Sequence, residues 1–522
     1  MGREDEIVKE RIKKIEALKA RGLNPYSYNF NLDKDAVADL QTKHTNLKNE
    51  EFAKEKAIVA GRIMSIRDMG KIAFIKLQDK TGFMQIVLRD EDTPKELFEF
   101  LKLLDEGDII GAEGKIFRTK RGELSILAQK LTILTKSIFP LPDKFQGLKD
   151  EEEKLRKRYL DIIMNPEIKE LFIKKQKFWG TVRSFLANKG FLEVETPVLE
   201  SSAGGAAATP FKTHHNALNL DIFLRISQGE LWQKKLLVAG YEKTFEIGRL
   251  FRNEGMDAEH LQDYTSMEFY WAYADYKDGM KLVEEMYKEV SKVVLGGLKF
   301  QKGEFEVDLG KKWETYDYEK LIEEKTKINI YKTDKKDIQK RLTELHLEFD
   351  INVDKWRLVD ILWKYCRKQL VGPGFLVGQP VELAPLAKRS RLDPKKVEQF
   401  QVIIAGSEMG NGYSELNDPA DQEERFKEQQ SKKDSGDSEG MAHDFEFVEA
   451  LKYGMPPACG FGVSERFFSF LMNKPIRETV IFPLMRPSVS SGQKEEVTQE
   501  TKKEKVAEIK KSIDKKETKK KK

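Results

Sequence analysis

The sequence predicts an α+β chain in two parts: a small five-stranded barrel near the N-terminus, then a larger region with a mostly antiparallel sheet flanked by helices. Three observations carry that reading. Residues 57–137 break into short strand-like runs separated by turn residues. From Phe191 to Pro487 strands and helices mix without the regular alternation of a parallel α/β fold. Neither a GxxxxGK loop nor a GxGxxG loop occurs, so a P-loop or dinucleotide-binding fold has no support.

The elements follow in order. Ile7, Ile12, Ile15 and Leu18, set among charges over residues 4–21, predict an amphipathic helix that stops near Gly22. The barrel strands are read at 58–63, 72–77, 83–88, 108–116 and 124–127. Lys80-Thr81-Gly82 and Lys120-Arg121-Gly122 are turns between them, and 94–104 reads as a helix after the third strand. Five strands with a helix in that place are the pattern of an OB barrel, on which exposed aromatic and polar groups stack and read single-stranded bases. Arg62, Phe74, Gln85 and Glu123 are the candidates for that task. Pro140-Leu141-Pro142 marks a linker. A charged helix at 151–160, a second near 166–189 and a strand from Phe191 to Thr196, ended by Pro197, come next. Residues 421–442 read as a polar helix and loop.

Composition narrows the class. The 522 residues suit about two to four domains, and 39% hydrophobic residues suffice for real cores. There is no run of eighteen apolar residues and no apolar segment behind the charged N-terminus, so neither a membrane span nor a secretory signal is expected. The two cysteines, Cys366 and Cys459, stand far apart without a histidine cluster, which argues against disulfide scaffolding and structural zinc. A cytoplasmic location is the expectation. Net charge is +4, but residues 491–522 hold 12 Lys against 7 acidic residues, so the remaining body is nearly neutral. That tail reads either as a solvated disordered end or as a nonspecific phosphate contact.

Two segments bear chemistry. One is Phe251-Arg252-Asn253-Glu254-Gly255 with His260 and Tyr264 after it; the other runs from Gly460 to Arg466. Arginine stays charged at any working pH and offers phosphate a planar fork of donors. Two such residues suggest a polyphosphate held between cationic clamps.

With Gly190-Phe191-Leu192-Glu193-Val194-Glu195-Thr196-Pro197, these segments resemble the three motifs of the class II aminoacyl-tRNA synthetases. Gly204 to Phe211, Thr213 to Leu218 and Gly410 to Asp418 narrow the resemblance, over residues 53–487, to the lysyl-tRNA synthetases. It implies an N-terminal helical extension (1–52), an OB-fold anticodon-binding domain (53–140), a class II catalytic domain (141–488) and a lysine-rich disordered tail (489–522).

It further implies adenylation of L-lysine by ATP, transfer to a lysine tRNA, a homodimer formed through the first motif, and Mg2+ on the phosphates. Arg252 would hold the α-phosphate and the attacking carboxylate, Glu254 the adenine amino group and Tyr264 the adenine face. His260 and Arg466 would meet the outer phosphates, and Glu408 and Glu415 the metal, Glu408 thereby serving ATP. Gly205, Glu230, Glu268, Tyr270, Asn411 and Glu415 would take the lysine, because a buried ammonium demands acids around it.

Three positions depart from the family pattern. Gln401 stands where a glutamate is common, Ser227-Gln228-Gly229-Glu230 is one residue longer than usual, and Val463 replaces a glycine three residues before Arg466. Three rival readings stay open: an aspartate or asparagine enzyme of the same class, which needs a cation facing the side chain; an idle RNA-binding paralogue, which should have lost Arg252, Glu254 or Arg466; and a ligase lysylating a protein, which should lack the barrel.

Overall fold

The computed structural model describes residues 3–142, 150–202, 204–206, 208–255, 257, 259–434 and 443–486. The lysine-rich tail and the loop half of the segment at 421–442 lie outside them. Two compact units divide the chain, Met1–Asp150 and Glu151–Lys522.

In the first unit five strands close into a barrel: β1 (Phe52–Asp68), β2 (Ile72–Gln78), β3 (Phe83–Arg89), β4 (Ile109–Arg118) and β5 (Leu124–Thr135), in spatial order β1-β2-β3-β5-β4. Alternation sets which side chains fill it. Val59, Ile63, Ile75, Leu77, Ile86, Ile110 and Ile126 are all fully buried in its core. Two glycines allow the strands to close: a Cβ on Gly61 would stand 2.3 Å from Gln78 O, and one on Gly114 2.0 Å from Leu127 O. The helix after the third strand is Lys95–Leu101, shorter than expected at both ends, and it plugs the barrel with Phe100 and Leu101. The N-terminal helix Arg3–Ala20 and a helix Val37–Lys43 that the periodicity did not reveal add Leu18, Val37 and Leu40 to the same core. Residues 1–52 are therefore partly built into the barrel.

In the second unit an eight-stranded sheet is the frame. Its strands are β6 (Leu192–Glu193), β7 (Lys243–Phe251), β8 (Asp263–Ala272), β9 (Glu314–Asp317), β10 (Gly374–Val377), β11 (Gln399–Ile404), β12 (Ser407–Ser414) and β13 (Ala458–Ser464). They lie in the order β9-β10-β11-β12-β13-β8-β7-β6. Only the two outer pairs, β9 with β10 and β7 with β6, run parallel; the rest are antiparallel, as expected. The strand expected from Phe191 to Thr196 shrinks to Leu192–Glu193 because Thr196 leaves the ladder: its amide and hydroxyl both donate to Glu246. The charged helix likewise splits into Glu151–Arg156 and Arg158–Met164, Lys157 between them standing at φ −106, ψ 43.

Helix Glu167–Asn188 and helix Tyr276–Leu295 share one apolar core with the sheet, through Phe178, Val182, Leu186, Val283, Met286 and Tyr287. The second begins on a reciprocal Asp275–Asp278 capping box and ends on Gly296 at φ +81. A separate helical group, Tyr318–Thr326, Lys335–Glu344 and Lys355–Arg367, has its own core of Ile322, Ile338, Leu342, Leu358 and Trp363.

Candidate active site

The centre of the sheet makes one face of a cavity of about 450 Å³. β7 and β8 form a hairpin whose registered pair Phe251 and Asp263 leaves residues 252–262 as the connecting loop. β13 pairs with β8, Ser464 opposite Ser266, so Arg466 emerges beside that hairpin although it lies far away in sequence. β12 pairs with β13 on the other side and brings in Glu408, Asn411 and Tyr413.

Arg252, Tyr264, Glu268, Tyr270, Glu230, Gly205, Glu408, Asn411, Glu415 and Arg466 all line this cavity. Both arginines thus open onto one space. Arg252 is anchored by Nε, which donates to Ile226 O at 3.2 Å, and its guanidinium stands 5.9 Å from the centre of the Tyr264 ring. Arg466 pairs with Glu259 of the hairpin loop.

Two expected ATP ligands lie outside the lining. Glu254 is exposed and its Oε1 accepts from the Thr209 amide at 3.2 Å; His260 is exposed and paired with Asp257 at 2.8 Å. Both sit on the hairpin loop, which Leu261 anchors against Ile476 and Val480.

The deep end is acidic. Glu268 Oε1 accepts from the Gln228 amide at 2.8 Å and Glu268 Oε2 from the Tyr270 hydroxyl at 2.9 Å. Glu230 accepts from the Tyr413 hydroxyl. Glu415 Oε1 has no hydrogen-bond donor. Burial first, then repulsion from Glu230, pushes the Glu268 carboxyl up to about 7. Burial lifts Glu415 to about 8 against the pull of Lys234. Carboxyls so raised are partly protonated near neutral pH and release those protons when a further cation binds.

Glycines keep the hole open. A Cβ on Gly460 would stand 2.1 Å from Glu415 Oε1, and one on Gly205, at φ +84, 2.5 Å from Ser227 Oγ. The extra residue before Glu230 is absorbed by Gly229 at φ +68, which starts helix Glu230–Val238.

Two sequence expectations change. Glu408 and Glu415 cannot share one metal ion. They are seven residues apart, Glu408 near the start of β12 and Glu415 just past its end, about 23 Å along an extended chain at roughly 3.3 Å per residue. Glu408 lies 3.4 Å from Arg367, whereas Glu415 binds Lys234. Among the described residues no group of three or more His, Cys, Asp or Glu side chains could hold an ion. Val463 needs no glycine-like backbone either: it is an ordinary strand residue opposite Met267, buried in the core.

Sequence reasoning missed Lys234, Tyr413 and Arg367. Lys234 stands four residues after Glu230, a spacing that reads as a surface helix pair. Its side chain is 1% exposed, with Nζ 2.9 Å from Glu230 Oε1 and 2.6 Å from Glu415 Oε2.

On the barrel, Phe74 is half-buried in an outer patch with Val87, Phe117 and Leu127. Gln85 Nε2 donates to Ser125 Oγ at 2.9 Å, Arg62 Nη1 donates to Gly107 O at 2.7 Å, and Glu123 is exposed. The β2–β3 pairing sets Phe74 opposite Val87 and Gln85 opposite Lys76, on one outward face. Phe52 and Phe117 stack at 5.1 Å nearby, with Arg89 over both rings.

A mostly antiparallel sheet carrying two convergent arginines beside an acid-lined hole is the arrangement that the class II resemblance implies. The family model for class II tRNA synthetases (D, K and N) matches residues 150–486, and that for the OB-fold nucleic acid binding domain matches 57–134. Lysine–tRNA ligases of Dehalococcoides mccartyi and Thermotoga maritima are 40% and 41% identical, over 93% and 92% of this chain and 98% and 96% of their own. That of Bacillus cereus is 40% identical over 91% of this chain and 96% of its own. The chain belongs to the lysine–tRNA ligase family.

Proposed function

We propose that the protein activates L-lysine with ATP, releasing pyrophosphate, and passes the lysyl group to the 3′ end of a lysine tRNA. The observation that carries this is the convergence of Glu230, Glu268 and Glu415 on the same cavity as Arg252 and Arg466. Lysine lies with its two ammonium groups among the acids and its carboxylate toward Arg252. Arg252 brings positive charge to the place where negative charge grows as the carboxylate attacks the α-phosphorus. Tyr264 lies under the adenine, and Arg466 grips the outer phosphates. Glu254 and His260 join them through movement of the hairpin loop, which exchanges the Arg466–Glu259 pair for a phosphate contact. Positioning does most of the work, since little covalent chemistry falls to the protein.

Glu408 fits a divalent ion, magnesium in this reading, as a single hard oxygen ligand beside Arg367 and Arg466. Such an ion supplies charge neutralisation on the phosphates. Glu408 would hold the ion, and the neutral amide of Gln401 would add no second charged ligand.

Three further parts complete the reading. Phe74, Gln85, Arg62 and Glu123 face the anticodon on the barrel. A homodimer forms through the first motif, supported by exposed Leu192, Val198 and Leu199. The enzyme works in the cytoplasm without membrane attachment; no described helix is long and apolar enough to cross a membrane.

The aspartate or asparagine reading fails on charge. One ammonium, Lys234, is outnumbered by three carboxylates, so no net cation faces the substrate. The barrel argues against a protein-lysylating ligase, and the retained arginines against an idle paralogue. Pyrophosphate exchange run side by side with lysine, aspartate and asparagine tests the choice: exchange with lysine alone is expected, and exchange with aspartate or asparagine instead would overturn it.

A further inference from the structure

Lys234 does more than its helix requires. Helix Glu230–Val238 carries it one turn beyond Glu230, and its aliphatic stem enters a space walled by aromatic rings. Nζ lies 5.7 Å from the Tyr270 ring centre, 5.4 Å from Tyr413 and 5.8 Å from Phe447. Its ion-pair partners are one oxygen each of Glu230 and Glu415. A buried ammonium in so dry a place is costly unless fully paired. The surplus is on the other side. Three carboxylates, Glu230, Glu268 and Glu415, converge here, and the fixed ammonium cancels one.

The remaining charge of minus two matches the two ammonium groups of free lysine, whose carboxylate lies toward Arg252, outside the count. The contact also fixes geometry. By taking Glu415 Oε2, Lys234 leaves Oε1 without a donor, in the space that Gly460 keeps open.

We propose that Lys234 is a positioning residue for substrate selection: a built-in counter-ion that pins Glu230 and Glu415 and sets the charge of the hole to that of a diammonium amino acid. The proposal rests on the lysine-ligase reading. It assigns Lys234 no contact with the reacting atoms. It makes the affinity for lysine, rather than the turnover of bound lysine, depend on a side chain behind the acids.

The test is lysine-dependent pyrophosphate exchange by the full chain, comparing wild type with Lys234→Met, which keeps the stem, and Lys234→Gln, which keeps donors but no charge. KM for lysine should rise about 150-fold or more in both, the scale of a broken buried pair. KM for ATP and kcat at saturating lysine should stay within about threefold. Lys234→Met combined with Glu230→Gln should cost less than the product of the two single changes, because the pair restores the charge count. Packing loss alone would instead multiply through, and would lower the melting temperature without separating KM from kcat.

A folded Lys234→Gln with wild-type KM for lysine overturns the proposal, whether or not Lys234→Met folds. Strictly multiplicative single effects overturn it too. A wild type without lysine-dependent exchange would remove the ligase reading itself, a result distinct from either.

Discussion

Among the described residues the Arg252 side chain makes one hydrogen bond, from Nε to the carbonyl of Ile226, which in the proposed reading leaves the outer guanidinium nitrogens for substrate. Arg252→Ala should abolish lysine-dependent pyrophosphate exchange, by about a thousandfold, with an unchanged melting curve; exchange near wild type would refute its grip on the α-phosphate. Gly460→Ala tests the hole from beneath. The new methyl would stand 2.1 Å from Glu415 Oε1, so KM for lysine should rise at least tenfold while KM for ATP holds.

Titration gives a third residue-level test. Glu268 and Glu415 titrate near 7 and 8 in the folded chain, above their unfolded values. Groups raised in this way contribute stability that is complete below the unfolded pKa and lost as pH rises through the folded one. The melting temperature measured without lysine should therefore fall between pH 5 and 8.5. Over the same range KM for lysine should fall, because binding two ammonium groups expels those protons. Thermal shift with and without lysine checks both signs.

At this scale much of the site was legible. Arg252, Glu268 and Arg466 stand in recognisable surroundings, whereas Lys234 looked like half of an ordinary helix ion pair. Only the packing of Tyr413 and Phe447, distant in sequence, buries it.

At the scale of elements, alternation and turn residues foretold all five barrel strands, because a closed barrel enforces an inside and an outside on every strand. The short β6 and the broken helix at Lys157 were not legible, since side-chain contacts such as Thr196 with Glu246 decide them. Beside the end of the β4–β5 pair lies an ion cluster that no pattern announces: fully buried Lys136 between Asp105 at 2.5 Å and Asp108 at 2.6 Å. Lys136→Met leaves fully buried Asp108 without its cation, while Asp105 keeps Lys14 at 2.7 Å, and should cost the barrel about 3–5 kcal/mol. Chemical denaturation of the full chain, followed by proteolysis within residues 1–150, measures it. The outward face of β2 gives an element-level test of function. Phe74→Ala should weaken charging of lysine tRNA about tenfold and spare pyrophosphate exchange, whereas equal losses in both assays would make Phe74 a folding residue.

For the whole molecule, in the proposed reading pyrophosphate exchange reports on the second unit, whereas charging of tRNA needs both. The self-association reading belongs here as well: sedimentation should give a mass near twice 60.4 kDa, and Leu199→Glu should shift it toward one chain.

The Arg466–Glu259 contact has a further consequence. A lone orthophosphate, or any small oxyanion abundant in a cell, must evict a carboxylate before it reaches that guanidinium. A triphosphate already tethered through its inner end makes the same exchange at high effective concentration. In the proposed reading the internal pair thus favours a long polyanion over a short one.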